Sequence, residues 1–226
     1  MATQIALAFD VYGTLIDTAG VTARLETLIG DKARVFSDLW RMKQLEYTWR
    51  YGLMDEYHNF RVCTSQALEY CCRHLNAEIA EVDRQSLMQN YLTLPVFDDV
   101  VPALQAMKDR ETDMFAFSNG VPSDLSDLLD HAGISEYFDG IVSVDEVSTF
   151  KPSPLTYRRF SERAGRPLSS CWLVSSNSFD VCGARATGMH AIWVQRNPGV
   201  TFDSMPHQPD AIVHNFSQLA EFVFGF

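Results

Sequence analysis

Asp10 closes an apolar run, Ile5-Ala6-Leu7-Ala8-Phe9, and opens into Val11-Tyr12-Gly13-Thr14. A carboxylate is a poor nucleophile in water, but in a dry pocket beside a cation it stays ionised and sheds its hydration shell. Lys151, between Phe150 and Pro152, is the candidate cation; it would lower the pKa of Asp10 and hold the oxygen that does not react. Two further clusters, Ser118-Asn119-Gly120 and Ser175-Ser176-Asn177 with Asp180 shortly after, bring hydroxyls, amides and a second carboxylate. Together these groups could form an ester on Asp10 and hydrolyse it, with Asp180 orienting or deprotonating the water and Ser175 and Asn177 fixing it. The plainer alternatives are a structural aspartate at a strand end for Asp10, and for Asp180 an N-terminal helix charge stabilised by the macrodipole.

Residues this far apart need a scaffold that gathers them. The run ending at Phe9 predicts a buried parallel strand. Further strands are predicted at Met114–Phe117, Gly140–Val144, Cys171–Val174, His190–Val194 and Ala211–Val213. Helices are predicted near Val101–Arg110, Ser123–Ala132, Pro154–Ala164, Phe179–Thr187 and Phe216–Phe224. This alternation predicts an α/β fold: a Rossmann-like parallel sheet core with helices on both faces. Between about Val21 and Tyr91 only helical periodicity is read, so an all-helical cap is expected over residues 17–95, inserted into a core of residues 1–16 and 96–226. In such sheets the loops at the carboxyl ends of the strands gather polar groups, and Asp10, Ser118, Lys151 and Ser175 all fall there.

Phe9-Asp10-Val11-Tyr12-Gly13-Thr14-Leu15, Ser118-Asn119-Gly120, Lys151-Pro152 and Ser175-Ser176-Asn177-Ser178-Phe179-Asp180 resemble the four ordered motifs of the haloacid dehalogenase superfamily. The helical stretch Leu39-Trp40-Arg41-Met42-Lys43-Gln44-Leu45-Glu46-Tyr47-Thr48-Trp49 is similar to the cap signature of its L-2-haloacid dehalogenases. The resemblance implies hydrolytic removal of halide from short-chain (S)-2-haloalkanoic acids, giving (R)-2-hydroxy acids through an Asp10 ester. It implies that Arg41 and Asn119, with an edge of Phe179, receive the halide, and that Ser118 clamps the substrate carboxylate. Thr14 would position Asp10, while Tyr12, Leu45 and Phe60 would wall the pocket. The resemblance also places Gln44 and Tyr157 against substrate, although on sequence alone Tyr157 reads equally as a packing tyrosine and Gln44 is an intermediate case. A homodimer through the helical insertion is also implied, and the aromatic-rich stretch from Trp40 to Tyr57 would suit an interface.

Two departures from the superfamily's phosphatases matter. Where those enzymes carry a general acid two residues after the nucleophile, this chain has Tyr12; a halide leaves as a stable anion and needs no proton, whereas an alkoxide does. Where they carry paired acids for Mg²⁺, this chain offers Ser176 and Asn177 before Asp180 alone, so no metal or other cofactor is expected. A phosphohydrolase of the same fold and a noncatalytic binder of small carboxylates are the alternatives.

The bulk properties agree. The 226 residues are 46% hydrophobic, enough for a sizeable core. A formal net charge of -11, without a Lys/Arg cluster, argues against nucleic acid. The start has no basic region, and the apolar run after it is too short for a signal or a membrane span. Five cysteines without a CxxC pair and six histidines without ligand spacing fit structural roles and a cytoplasmic protein. Trp172 and Trp193, in strand patterns, are expected in the core.

Overall fold

The computed structural model describes residues 5–223 and 225. The chain forms strand β1 (Ala6–Phe9), then four helices in succession: α1 (Ala19–Ile29), α2 (Ala33–Met54), α3 (Phe60–His74) and α4 (Glu81–Asn90). Helix α5 (Val100–Lys108) leads back to β2 (Asp113–Ser118), α6 (Pro122–His131), β3 (Gly140–Ser143) and α7 (Pro154–Ala164). The chain continues through β4 (Cys171–Ser175), α8 (Ser178–Thr187), β5 (His190–Val194), β6 (Ala211–Val213) and α9 (Phe216–Val223). The predicted alternation is thus present, with bounds shifted by a residue or two. Phe224, the predicted end of the last helix, lies outside the described residues.

Among the described residues the sheet is parallel throughout, in the order β3-β2-β1-β4-β5-β6. Every residue of β1 and of β4 is buried. That explains their unbroken apolar character, since a central parallel strand is covered on both faces. The strand order reverses at β1, which makes its carboxyl end the topological switch point where a crevice opens. Register pairs Phe9 with Ala116 on one side and Val174 on the other, so Asp10 emerges level with Phe117 and Ser175. The amide of Asp10 still donates to Val174 O at 3.0 Å, which ties the first loop residue to the neighbouring strand.

Helix α2 buries Ala33, Phe36, Trp40, Gln44 and Thr48, a stripe at three- and four-residue spacing. Trp40 donates Nε1–H to Thr64 O of α3 at 2.9 Å. The stretch expected as an interface therefore divides: Trp40 is core, while Trp49 is 38% and Leu53 89% exposed. The segments that lead into and out of the four helices pair with each other. Asp17 N donates to Pro95 O at 2.8 Å and Phe97 N to Leu15 O at 3.0 Å. All five cysteines are free and buried, and Trp172 and Trp193 are buried as expected. Among the described residues no helix is long and apolar enough to cross a membrane.

Candidate active site

The two oxygens of Asp10 have different surroundings. Oδ2 accepts from Thr14 Oγ1 at 2.9 Å, Ser175 Oγ at 3.2 Å and Asn177 Nδ2 at 2.7 Å. Oδ1 faces one cation, Lys151 Nζ at 3.3 Å. Lys151 was expected on the unreactive oxygen; instead three neutral donors crowd Oδ2, and Lys151 lies against the less encumbered one. Which oxygen receives which donor depends on side-chain torsions.

Lys151 is only 1% exposed, and its ammonium is satisfied entirely by protein. Its donors reach Phe117 O and Asp180 Oδ2, both at 2.8 Å, and Asp10 Oδ1, while the Phe117 ring face lies 4.0 Å away. A buried cation between two carboxylates and over an aromatic face is compensated as burial requires. The backbone supports it as well: Lys151 N donates to Asn119 Oδ1 at 3.0 Å, which fixes that amide and directs its NH₂ the other way.

Asp180 is fully buried in the first turn of α8, with Lys151 on Oδ2 and Tyr157 OH on Oδ1 at 2.8 Å. Burial raises its carboxyl above the ordinary range, and Lys151 opposes that rise. Burial likewise pushes the Tyr157 phenol well above its ordinary value, so it acts as a donor. Asp180 is not part of the cavity lining, and the ammonium of Lys151 stands between it and Asp10. Tyr157 also lies behind the cavity wall rather than against substrate, because its hydroxyl is committed to Asp180.

The cavity, about 20 Å³, is lined by Asp10, Tyr12, Arg41, Leu45, Phe60, Ser118, Asn119, Lys151, Asn177 and Phe179. The helical insertion supplies Arg41, Leu45 and Phe60, while the end of β2, the loops that follow the strands and the first turn of α8 supply the rest. Tyr12 stacks on Phe60 with centroids 6.1 Å apart, and Phe179 meets Trp49 edge-on at 5.5 Å. Burial raises the Tyr12 phenol far above its ordinary value. Arg41 donates to Gln44 Oε1 at 3.0 Å and to Asn177 Oδ1 at 3.3 Å, and Asn177 in turn reaches Asp10. Gln44 is buried and also donates to Thr64 Oγ1 at 2.6 Å. With both ends of its amide occupied it supports Arg41 from outside the cavity, which corrects its expected contact with substrate.

Two residues escaped the sequence reading of the site. Ser176 lies inside a quoted motif, yet its role is visible only in three dimensions: its N–H donates to Thr14 Oγ1 at 2.9 Å and its Oγ to Gly13 O at 2.7 Å. Gly183 faces Tyr157, where a Cβ would fall 2.4 Å from the phenolic oxygen. Its one sequence signal is a glycine inside a helical pattern, a sign of close packing.

The donor set does not fit a hard dication. Mg²⁺ takes oxygen ligands in a near-octahedral shell. Here the ammonium of Lys151 already stands between the site's two carboxylates, and Tyr12 presents a neutral phenol.

A carboxylate with one crowded and one open oxygen, a buried lysine and an arginine brought in by a helical insertion define a hydrolase site of the covalent-aspartate kind. The model of the haloacid dehalogenase-like hydrolases matches residues 6–188, and the chain belongs to that family. An (S)-2-haloacid dehalogenase of Pseudomonas sp. (strain YL) is 37% identical over 95% of this chain and 92% of that relative. Among solved structures, an L-2-haloacid dehalogenase superposes with TM-score 0.95 at 33% identity, covering 99% of this chain and 100% of the other. The L-2-haloacid dehalogenase of Xanthobacter autotrophicus with chloropropionic acid covalently bound gives TM-score 0.90 at 29% identity, covering 99% of each chain.

Proposed function

We propose that this chain hydrolyses short-chain (S)-2-haloalkanoic acids to (R)-2-hydroxyalkanoic acids and halide, with residues 17–95 as a helical cap on a core of residues 1–16 and 96–226. The observation that carries the reading is the unequal environment of the Asp10 oxygens. An oxygen with three donors has no lone pair to spare, so Oδ1 is the nucleophile. Its attack in line with the carbon–halogen bond expels halide with the bonding electrons and inverts the carbon. Charge developing on the halide meets Arg41 and the amide of Asn119, donors already in place before reaction. Ser118 and neighbouring amides hold the substrate carboxylate, and Tyr12, Leu45, Phe60 and Phe179 confine the alkyl group to a small space.

Water then adds to Cγ of the ester. The oxyanion forms on Oδ2, where Thr14, Ser175 and Asn177 already point. Asp180, made more basic by burial, draws the water's proton through the ammonium of Lys151. As the intermediate collapses and the Cγ–Oδ1 bond breaks, Lys151, which lies against Oδ1, hands that proton to the departing oxygen and is reprotonated from Asp180. The hydroxy acid leaves with the former Oδ1 as its hydroxyl oxygen. No step calls for a metal or an acid at position 12, because halide departs unprotonated and Lys151 protonates the oxygen that leaves the ester.

Incubation with C2 to C4 2-haloacids of both enantiomers tests the reading. Halide and the inverted hydroxy acid are expected from the (S) substrates. Hydrolysis of phosphate monoesters without halide release would return the chain to the phosphohydrolases, and binding without turnover to noncatalytic relatives. We further propose a cytoplasmic location, in keeping with five reduced thiols. A homodimer through α2 is proposed too, supported by its exposed Trp49, Leu53 and Met54. Sedimentation at the 25.6 kDa mass of one chain would remove the dimer.

A further inference from the structure

We propose that Arg196 is a positioning residue for the Asp10 nucleophile, acting through the backbone of Thr14. Arg196 follows β5 and its side chain is 14% exposed. Its Nε and Nη2 both donate to Thr14 O, at 3.2 and 2.8 Å, and its Nη1 lies 2.8 Å from each carboxylate oxygen of Asp99. The guanidinium is sandwiched between the rings of Phe97 and Phe216, 4.1 and 4.8 Å from their centroids. Asp99 Oδ2 also accepts from Phe216 N at 2.7 Å. The planar fork is therefore fixed on every side, so the Thr14 carbonyl is held by a rigid partner.

Thr14 is where this rigidity reaches the site. Its hydroxyl donates to Asp10 Oδ2, and the direction of that hydroxyl depends on the backbone that Arg196 grips. The turn around it is tight: Thr14 N, Leu15 N and Ile16 N all donate to Val11 O, and Gly13 has φ +80°. Thr14 lies on the segment leading into the four inserted helices, and Asp99 lies just past their return. Arg196 bridges both, so it fixes the nucleophile loop against the return path of the insertion. No motif of the resemblance contains it.

The inference rests on Asp10 as nucleophile. Arg196→Lys keeps the charge beside Asp99 but loses the two parallel donors on Thr14 O. Since displacement of a catalytic group by about 1 Å costs roughly 10²-fold, kcat of halide release should fall by about that factor with KM little changed. Thr14→Val removes the hydroxyl through which the effect runs. If the inference holds, the Arg196→Lys/Thr14→Val double variant is about as slow as the slower single variant. Arg196→Ala should recover turnover with added methylguanidinium and not with methylammonium. Multiplicative losses in the double variant, or an Arg196→Lys enzyme with unchanged kcat, would overturn the inference. So would failure of both Arg196 variants to fold, which would make Arg196 a stability element. A wild-type chain that releases no halide would instead sink the reading of the function itself.

Discussion

Replacing Gly183 by alanine places a methyl group 2.4 Å from the Tyr157 oxygen, 2.6 Å from Pro152 Cβ and 2.8 Å from Tyr157 Cε2. Ordinary contact begins at 3.4 Å, so the phenol must retreat by about 1 Å. Tyr157 OH donates to Asp180 Oδ1 at 2.8 Å, and a retreat of that size lengthens the bond to as much as about 3.8 Å, beyond hydrogen-bond range. Overpacking of this kind costs about 1–3 kcal/mol, and loss of a hydrogen bond to a charged group about 1.5–3 kcal/mol. A combined destabilisation of about 3 kcal/mol lowers Tm by roughly 6–12 °C in a chain of this size. If the lost hydrogen bond is felt in ester hydrolysis, kcat falls by roughly 10- to 10²-fold. Thermal melts and steady-state halide release measure the two effects on the same preparation. In a Tyr157→Phe background the closest contact is gone, so the added cost of Gly183→Ala should shrink, though Pro152 Cβ and the retained ring carbon Cε2 keep it above zero. A Gly183→Ala enzyme with wild-type Tm and kcat would refute the reasoning, as would a cost unchanged by Tyr157→Phe.

Arg41→Lys should lose kcat almost as severely as Arg41→Ala, by about 10²- to 10³-fold, because a lysine cannot serve Asn177 and the departing halide with one planar fork; rapid quench should locate the loss in ester formation. Tyr157→Phe removes a hydrogen bond that lowers the Asp180 pKa, so that carboxyl rises further and is protonated at higher pH. The acid limb of the kcat profile should therefore move to higher pH, and a limb that moves lower would contradict this role of Tyr157. Excess EDTA should leave turnover intact; loss on chelation, restored by Mg²⁺, would show that the donor set has been misread.

The strands were legible because burial on both faces of a parallel sheet demands unbroken apolar runs such as Ala6–Phe9 and Cys171–Ser175. The polar clusters follow each run at once, so their meeting at one edge was readable too. Arg41 was legible only through its resemblance to a known helical signature, since periodicity reads it as a solvated helix charge. What stayed hidden lies in torsions and in contacts distant along the chain. The division of donors between the Asp10 oxygens depends on rotamers. Gln44 and Tyr157 were expected against substrate, and only their hydrogen bonds to Thr64 and Asp180 place them behind the wall. Arg196 belongs to no motif, and its partners Thr14 and Asp99 are 182 and 97 positions away.

The central claim is that Asp10 becomes esterified and that water attacks its carboxyl carbon rather than the substrate. A single turnover in H₂¹⁸O, with enzyme in excess over an (S)-2-haloacid, followed by mass spectrometry of the peptide bearing Asp10, tests this directly. The account predicts ¹⁸O in the Asp10 carboxylate and an unlabelled hydroxy acid after the first turnover, with the Asp10→Asn variant inactive. Label in the hydroxy acid alone would mean that water displaces halide directly, and would contradict the account.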